Sequence, residues 1–392
     1  MIGEAMRILE LRSVRGTGGG PEKTILLGAQ RANPRFPVTV CYIRDRRDTT
    51  FAIAERAATL GIDYVEIVEH GSFDVRIWPA LRQLVRDRGI DIVHAHDYKT
   101  DLLALLLARA DGVIPVATAH GWTGHSLRER LVYYALDKQM LRAFPRTIAV
   151  SSEIRSQLLR RGVRHDRVQT VLNGIDYRAF RRDRSIEAEV RQELGLMPSH
   201  VVVGSVGRLE PQKRFDLLIE ACAMVQRRWP GLRLVIAGDG SERAKLQALA
   251  GARLAAGSWE LCGHRGDVAR LHHALDLFVQ SSDYEGTSNA VLEAMALETA
   301  VVATAAGGTA EMIEHGVHGL VVRCGDAQEL ATAMSQALLQ PQVRAAYVAA
   351  ARRRVETTLS FDERVATVER IYADLAEIFP RPAGPRLAER CA

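Results

Sequence analysis

Two cations five residues apart, Arg208 and Lys213, follow the branched apolar run Val201-Val-Val-Gly-Ser-Val206 and the glycine Gly207. A guanidinium matches phosphate oxygens with a planar fork and an ammonium adds a compact point charge, so the pair suits a diphosphate and its departure as a leaving group. The same spacing also fits a solvated basic loop, because surface cations are common. Farther on, Glu285 and Glu293 lie eight residues apart in Ser281-Ser-Asp-Tyr-Glu-Gly-Thr-Ser-Asn-Ala-Val-Leu-Glu293, around a predicted helix start. Gly286 permits close approach, and the amides of Ser288, Asn289 and Ala290 offer an anion site at the positive end of the helix dipole. Glu293 on that helix has the chemistry to accept two ribose hydroxyls. The plainer reading makes Glu285 an acid of the cap region and Glu293 an acid of the helix surface.

Histidines supply the remaining candidates. His120 follows the strand-like Ile114-Pro-Val-Ala-Thr-Ala119 and precedes Gly121. A lone histidine is more often structural, although near neutral pH it is able to donate to a hydroxyl or to a developing charge. His94 and His96, in Val93-His-Ala-His-Asp97, have the i,i+2 spacing of a ligand pair on a strand, but nothing nearby in sequence completes a tetrahedral set. Packing, or a place on the rim of a cleft, is the expectation for them. The glycines Gly16, Gly18, Gly19 and Gly20 invite a dinucleotide reading with Asp45 as the ribose acid, yet their spacing departs from G-x-G-x-x-G.

These residues need elements to hold them. Short branched runs at 7 to 11, 38 to 43, 91 to 95, 113 to 119 and 147 to 150 read as strands separated by helical patterns. After Asn173-Gly174 a second series follows, at 201 to 206, 232 to 237, 259 to 262, 276 to 279 and 300 to 304. Regular β-then-α order predicts parallel sheets with helices on both faces: two Rossmann-like doubly wound α/β domains facing each other across a cleft. The expected boundaries are 1–175, 176–360, a helix over 361–379 returning to the N-terminal domain, and a loose tail over 380–392, with the hinge near 173–200.

Composition narrows the class. The 392 residues are 47% hydrophobic and 25% charged, the usage of an ordinary globular chain with material for two cores. A net charge of +5 favours anionic partners without naming one. The five cysteines, at 41, 222, 262, 324 and 391, form neither a metal motif nor a disulfide framework, so reduced thiols are expected. Met1-Ile-Gly-Glu-Ala-Met-Arg7 lacks the layout of a signal peptide, and Leu102–Ala108, bounded by Asp101 and Arg109, is too short to span a bilayer. The expectation is a cytoplasmic protein, with peripheral contact at the inner face of an anionic membrane as the furthest alternative. The run Leu127–Arg146, with interleaved aromatics and five basic residues, carries that alternative, against an ordinary helix packed on the sheet. No basic cluster has a nucleic-acid-binding motif.

In order and combination these segments resemble the retaining glycosyltransferases of family 4, which have the GT-B fold. The likeness covers nearly the whole chain: the Gly16–Gly20 turn, Thr118-Ala-His-Gly121, Val171-Leu-Asn-Gly-Ile-Asp176, Gly207-Arg-Leu-Glu-Pro-Gln-Lys213, Leu234-Val-Ile-Ala-Gly-Asp-Gly240 and the Glu285 to Glu293 pair. The resemblance implies that Arg208 and Lys213, with Gly207, hold the diphosphate, that Glu293 holds the ribose and Glu285 hydroxyls of the transferred sugar. It places Gly18 and Gly19 beside the phosphates, the helix after them starting near Glu22-Lys23. It further places Gly286, Thr287, Ser288, Asn289 and Ala290 around the donor, Gly263, His264, Arg265 and Gly266 around the base, and His120 against the donor sugar and acceptor. Gly307-Gly308-Thr309-Ala310-Glu311 resembles the family's later glycine turn, with Ala310 where proline is usual. Thr287-Ser288 likewise replaces the commoner Phe-Gly or Leu-Pro.

The resemblance implies transfer of a hexose or related sugar, with retention, from a UDP- or GDP-sugar to a hydroxyl of a glycan or lipid-linked acceptor, in cell-surface polysaccharide or glycolipid synthesis. It implies no cofactor and no metal, catalysis resting on charge stabilisation of the leaving diphosphate. The rivals are a sugar-nucleotide epimerase of the same fold and a non-catalytic nucleotide-sugar binder.

Overall fold

The computed structural model describes residues 5–14, 16, 18–71, 74–121 and 134–380, the side chains of 134–136 excepted. Residues 127–133 of the aromatic and basic run, and all of the tail beyond Pro380, lie outside these. The chain divides into two compact units, Met1–Val171 with Arg364–Ala392, and Leu172–Glu363.

The N-terminal unit is built on seven strands: β1 (Ile8–Ser13), β2 (Val38–Asp45), β3 (Tyr64–Glu69), β4 (Ile92–Ala95), β5 (Ile114–Ala119), β6 (Arg146–Ala149) and β7 (Val168–Thr170). They pair in parallel in the order β3-β2-β1-β4-β5-β6-β7. Central strands buried on both faces read as continuous apolar runs, as in Leu9, Leu11, Cys41 and Ile43. The strand order reverses between β1 and β4, so the chain leaving both strands emerges at one sheet edge. There Asp97 caps the helix Tyr98–Asp111 by accepting from the amides of Lys99 and Thr100, and its second oxygen accepts from Ser13 N at 2.8 Å. The capping residue thereby ties β1 to the start of the next helix.

The helix Phe361–Ile378 supplies this unit with Val368, Ile371, Tyr372 and Leu375, which share an apolar cluster with Met6, Ile8, Phe36, Ile92, Val116 and Ile148. Burying a side chain of this size stabilises by about 1.5 to 3 kcal/mol, so the segment belongs to the core of the unit although it is remote in sequence from the strands it covers.

The second unit has six parallel strands, β8 (Val201–Val206), β9 (Leu232–Ala237), β10 (Trp259–Gly263), β11 (Leu277–Gln280), β12 (Ala300–Thr304) and β13 (Leu320–Val322). Their order is β10-β9-β8-β11-β12-β13, reversing between β8 and β11. Apolar clusters cover both faces, one built on the helix Phe215–Gln226 and the other on the helix Asn289–Ala296. Among the described residues no helix is long and apolar enough to cross a membrane.

Candidate active site

All four charged donor candidates lie where the order of the second sheet reverses. Parallel β8 and β11 release the chain at the same edge, so Gly207–Lys213 and Ser281–Glu293 become neighbouring loops. Lys213 Nζ meets Glu285 Oε1 at 2.6 Å, and the Ser282 hydroxyl donates to that oxygen at 2.7 Å. Glu285 is buried and Lys213 is 18% exposed. The loops are also joined by Ser281 Oγ donating to Lys213 O at 2.9 Å, Asp283 N donating to Gln212 O at 2.9 Å, and an Arg214 to Asp283 ion pair at 2.8 Å. Arg208 differs from Lys213: its side chain is exposed and, among the described residues, makes no hydrogen bond or ion pair.

Glycines let backbones approach behind this pair. Gly307 has φ of 53°, and a Cβ on it would lie 1.7 Å from Glu285 O, while Gly308 N donates to Gly286 O at 2.8 Å. A Cβ on Gly238 would lie 1.8 Å from Gly207 O, which explains the glycines after β9: they receive the Gly207 loop main chain against main chain. Thr309 accepts from Gln280 Nε2 at 2.9 Å. Asn173 holds Thr287 from the side, its amide donating to Oγ1 and its side chain to the carbonyl, both at 3.3 Å. Ser288, in extended conformation, precedes the helix Asn289–Ala296, whose first residues are Asn289 and Ala290. Glu293 on that helix is buried, which rules out the helix-surface alternative for it.

Of the candidates for holding the base, Gly263 has φ of 73° and its carbonyl accepts from Gly238 N at 2.8 Å. His264 is exposed, and Arg265 is paired with Asp267 at 2.5 Å, so its guanidinium is already engaged.

The N-terminal unit carries a second polar group. The glycine turn is fixed by Glu22, which accepts from Gly19 N and from Arg12 Nε at 2.5 Å; a Cβ on Gly18 would fall 2.4 Å from Glu22 Cγ. The helix begins at Gly20, two residues before its expected start near Glu22. His120, read from sequence as a lone histidine, is not alone. Its Nε2 lies 3.0 Å from Nδ1 of His96, and the rings stack with centroids 5.3 Å apart. His96 Nε2 bonds Glu10 Oε2, and His94 stacks on His96 at 4.5 Å. His94 also meets Tyr372 Oη at 2.6 Å and Thr118 Oγ1 at 2.7 Å, and Tyr372 donates to Glu10 Oε1 at 3.0 Å.

Sequence reasoning found no acid to join His94 and His96 and so missed Glu10 and Tyr372. Glu10 comes from the adjacent strand, in register with His94, and Tyr372 from the last helix. Only strand pairing brings them within reach. Burial by itself would raise the Glu10 carboxyl, but His94 and His96 outweigh it and hold the group well below the usual carboxylate range. Burial pushes His96 down to about 4, and burial with the Arg12 cation holds His120 well below the usual histidine range.

With this geometry in hand, the comparisons with known proteins agree in kind. Residues 18–178 match the model of Glycosyltransferase Family 4 and residues 187–354 that of Glycosyl transferases group 1. A D-inositol 3-phosphate glycosyltransferase of Rhodococcus jostii is 30% identical over 331 residues, 77% of this chain and 67% of that protein. The lipopolysaccharide core biosynthesis glycosyltransferase LpsE of Rhizobium meliloti is 38% identical over 143 residues, 36% of this chain and 41% of that protein. Among solved structures, Anabaena HepE in complex with UDP-glucose matches with a TM-score of 0.83 at 21% identity, over 94% of this chain and all of that one. The chain therefore belongs to the group 1 glycosyltransferases, the family-4 enzymes of GT-B fold.

Proposed function

We propose that this glycosyltransferase moves a sugar from a nucleoside-diphosphate sugar, with retention of configuration, to a hydroxyl of a glycan or lipid-linked acceptor in cell-surface polysaccharide or glycolipid synthesis. The observation that carries the donor assignment is the Lys213 to Glu285 pair beside an unpaired Arg208, at the sheet edge where open α/β folds take ligands. Lys213 is already neutralised by Glu285, so the uncompensated charge of Arg208 is the first cation an arriving diphosphate meets. Once the diphosphate is bound, Lys213 has an anion on either side and Glu285 is held ready to accept hydroxyls of the sugar. Glu293 takes the ribose, and the amides at the start of its helix face phosphate oxygens. His120 contacts the sugar being transferred. That HepE has been solved with UDP-glucose, and that LpsE is named for lipopolysaccharide core biosynthesis, favours a sugar nucleotide and a surface glycan.

A thermal-shift panel of UDP- and GDP-sugars selects the donor, since a ligand at 100 times its Kd raises stability by about 2.7 kcal/mol. With that donor, Lys213→Ala is expected to lower kcat by about 10²-fold or more, the usual effect of removing one group that stabilises transition-state charge, and Glu293→Ala to raise the donor KM by about tenfold or more through the lost ribose contact. Wild-type kcat and KM in both variants would end the donor assignment, and the anomeric configuration of the product, read by NMR, tests retention.

A further inference from the structure

We propose that Glu10 and His96 are positioning residues that fix the proton of His120 on Nε2, so that His120 offers its Nδ1 to substrate as a bare hydrogen-bond acceptor. The functional half of this proposal rests on the reading of His120 as a sugar-contacting group.

The assignment follows from counting protons along one chain of contacts. Tyr372 donates to Glu10 Oε1 at 3.0 Å, so the carboxylate is an acceptor there, and its other oxygen faces His96 Nε2. An ionised carboxylate has no proton to give, which places the His96 proton on Nε2. A neutral His96 then has a bare Nδ1. The contact of 3.0 Å between that atom and His120 Nε2 needs one proton, and only His120 is left to supply it. With its single proton committed inward, His120 keeps a lone pair on Nδ1, for which no hydrogen bond exists among the described residues. His94 closes the network in the same sense: Nδ1–H points to Tyr372 Oη and Nε2 accepts from the Thr118 hydroxyl.

The groups acting on His96 and His120 are Glu10 and Arg12 on β1, His94 on β4, and Arg364 on the helix Phe361–Ile378, while Tyr372 on that helix acts through Glu10 and His94. Arg12 is offset by Glu22, and Arg364 acts on Glu10. Burial first, and then the Arg12 cation, keeps both imidazoles neutral against the pull of Glu10 on His96, as the proton chain requires.

Glu10, His94 and His96 also bring ligand atoms within 4.8 Å of one another, close enough to consider a metal ion. The ligand atoms are already committed to one another: His96 Nε2 to Glu10 Oε2, His94 Nδ1 to Tyr372 Oη, and Glu10 Oε1 to the Tyr372 hydroxyl, so an ion would have to displace all three contacts. The arrangement sets tautomers instead, as when a carboxylate holds a catalytic histidine in one protonation pattern.

The test is a long-range 1H–15N correlation spectrum of the imidazoles in the full chain near pH 7.5. His96 and His120 are both expected to show the pattern of a proton on Nε2. In Glu10→Ala the acceptor for His96 is gone, and the His120 signals are expected to move toward a mixture of tautomers, with kcat falling at least about tenfold as the acceptor at His120 becomes unreliable. A fold defect would move the whole spectrum, whereas the tautomer change moves these two rings. A proton on Nδ1 of His120 in the wild type, an unchanged His120 tautomer in a folded Glu10→Ala, or one equivalent of zinc displacing the His96 Nε2 proton would each overturn the proposal. Full turnover by His120→Ala, with the sugar nucleotide selected above, would remove the functional half alone. A failed tautomer prediction leaves the donor site, which is tested at Lys213 and Glu293, standing.

Discussion

Lys213 and Glu285 depend on each other for more than binding. Removing the ammonium leaves a buried carboxylate without its ion-pair partner, and breaking a buried pair from one side costs about 3 to 5 kcal/mol. Loss of activity in Lys213→Ala alone would therefore mix stability with chemistry. Adding Glu285→Gln removes the stranded charge, so the double variant is expected to recover most of the lost melting temperature while remaining inactive. If activity returned with stability, the pair would be structural. The histidines make a separate prediction. His96 titrates near 4 when folded and near its ordinary 6.5 when unfolded, so between those values the unfolded chain binds more protons and stability rises with pH. The contribution is complete above about pH 6.5 and is lost on acidification, amounting to about 2 kcal/mol by pH 5. Glu10, held low by the same histidines, adds to the loss at still lower pH. Denaturant melts at pH 7 and pH 5 should show this loss, and His96→Gln should flatten it; an equal loss in the variant would place the acid sensitivity elsewhere.

At the scale of elements, the loops are held by glycines whose reasons differ, and the differences are measurable. Gly307→Ala combines a left-handed backbone with a Cβ 1.7 Å from Glu285 O, so it must push the Glu285 loop aside. Strain of this kind costs about 1 to 3 kcal/mol, and kcat should fall with it. Gly251 is the contrasting case: it is inside the helix Arg243–Arg253, and a Cβ there meets only Trp259 at an ordinary 3.9 Å. Gly251→Ala should stabilise by about 0.5 to 1 kcal/mol through helix propensity, without touching turnover. Parallel stability curves for the two variants would contradict this account of the turn. The same scale shows what the sequence revealed. All nine central strands read as apolar runs because both faces of a central strand are covered, and so does the edge strand β10. The other three edge strands do not: β3 is interrupted by Glu66 and Glu69, and β7 and β13 have only three residues each.

For the molecule as a whole, the two sheets with reversed strand order account for where its chemistry gathers. Each places short-range motifs at the edge beside its reversal: Gly207–Lys213 with Ser281–Glu293 in one unit, and Glu10, His96 and Asp97 with the Gly18–Gly19 turn in the other. The motif residues were readable because each motif is contiguous. Their partners were not: Glu10 and Tyr372 are separated by 362 residues and meet only once the last helix has joined the first unit's core. The donor-site assignment stands or falls on a cation that the fold leaves without a partner. Titration calorimetry of UDP and of GDP against the wild type and Arg208→Ala tests it most directly, because Arg208 is exposed and its removal leaves every described hydrogen bond of its side chain's surroundings intact. One of the two diphosphates should bind the wild type and lose about 10- to 100-fold in affinity in the variant, the range of a charge-assisted contact. Equal affinity in both proteins, or no binding of either nucleotide to the wild type, would contradict it.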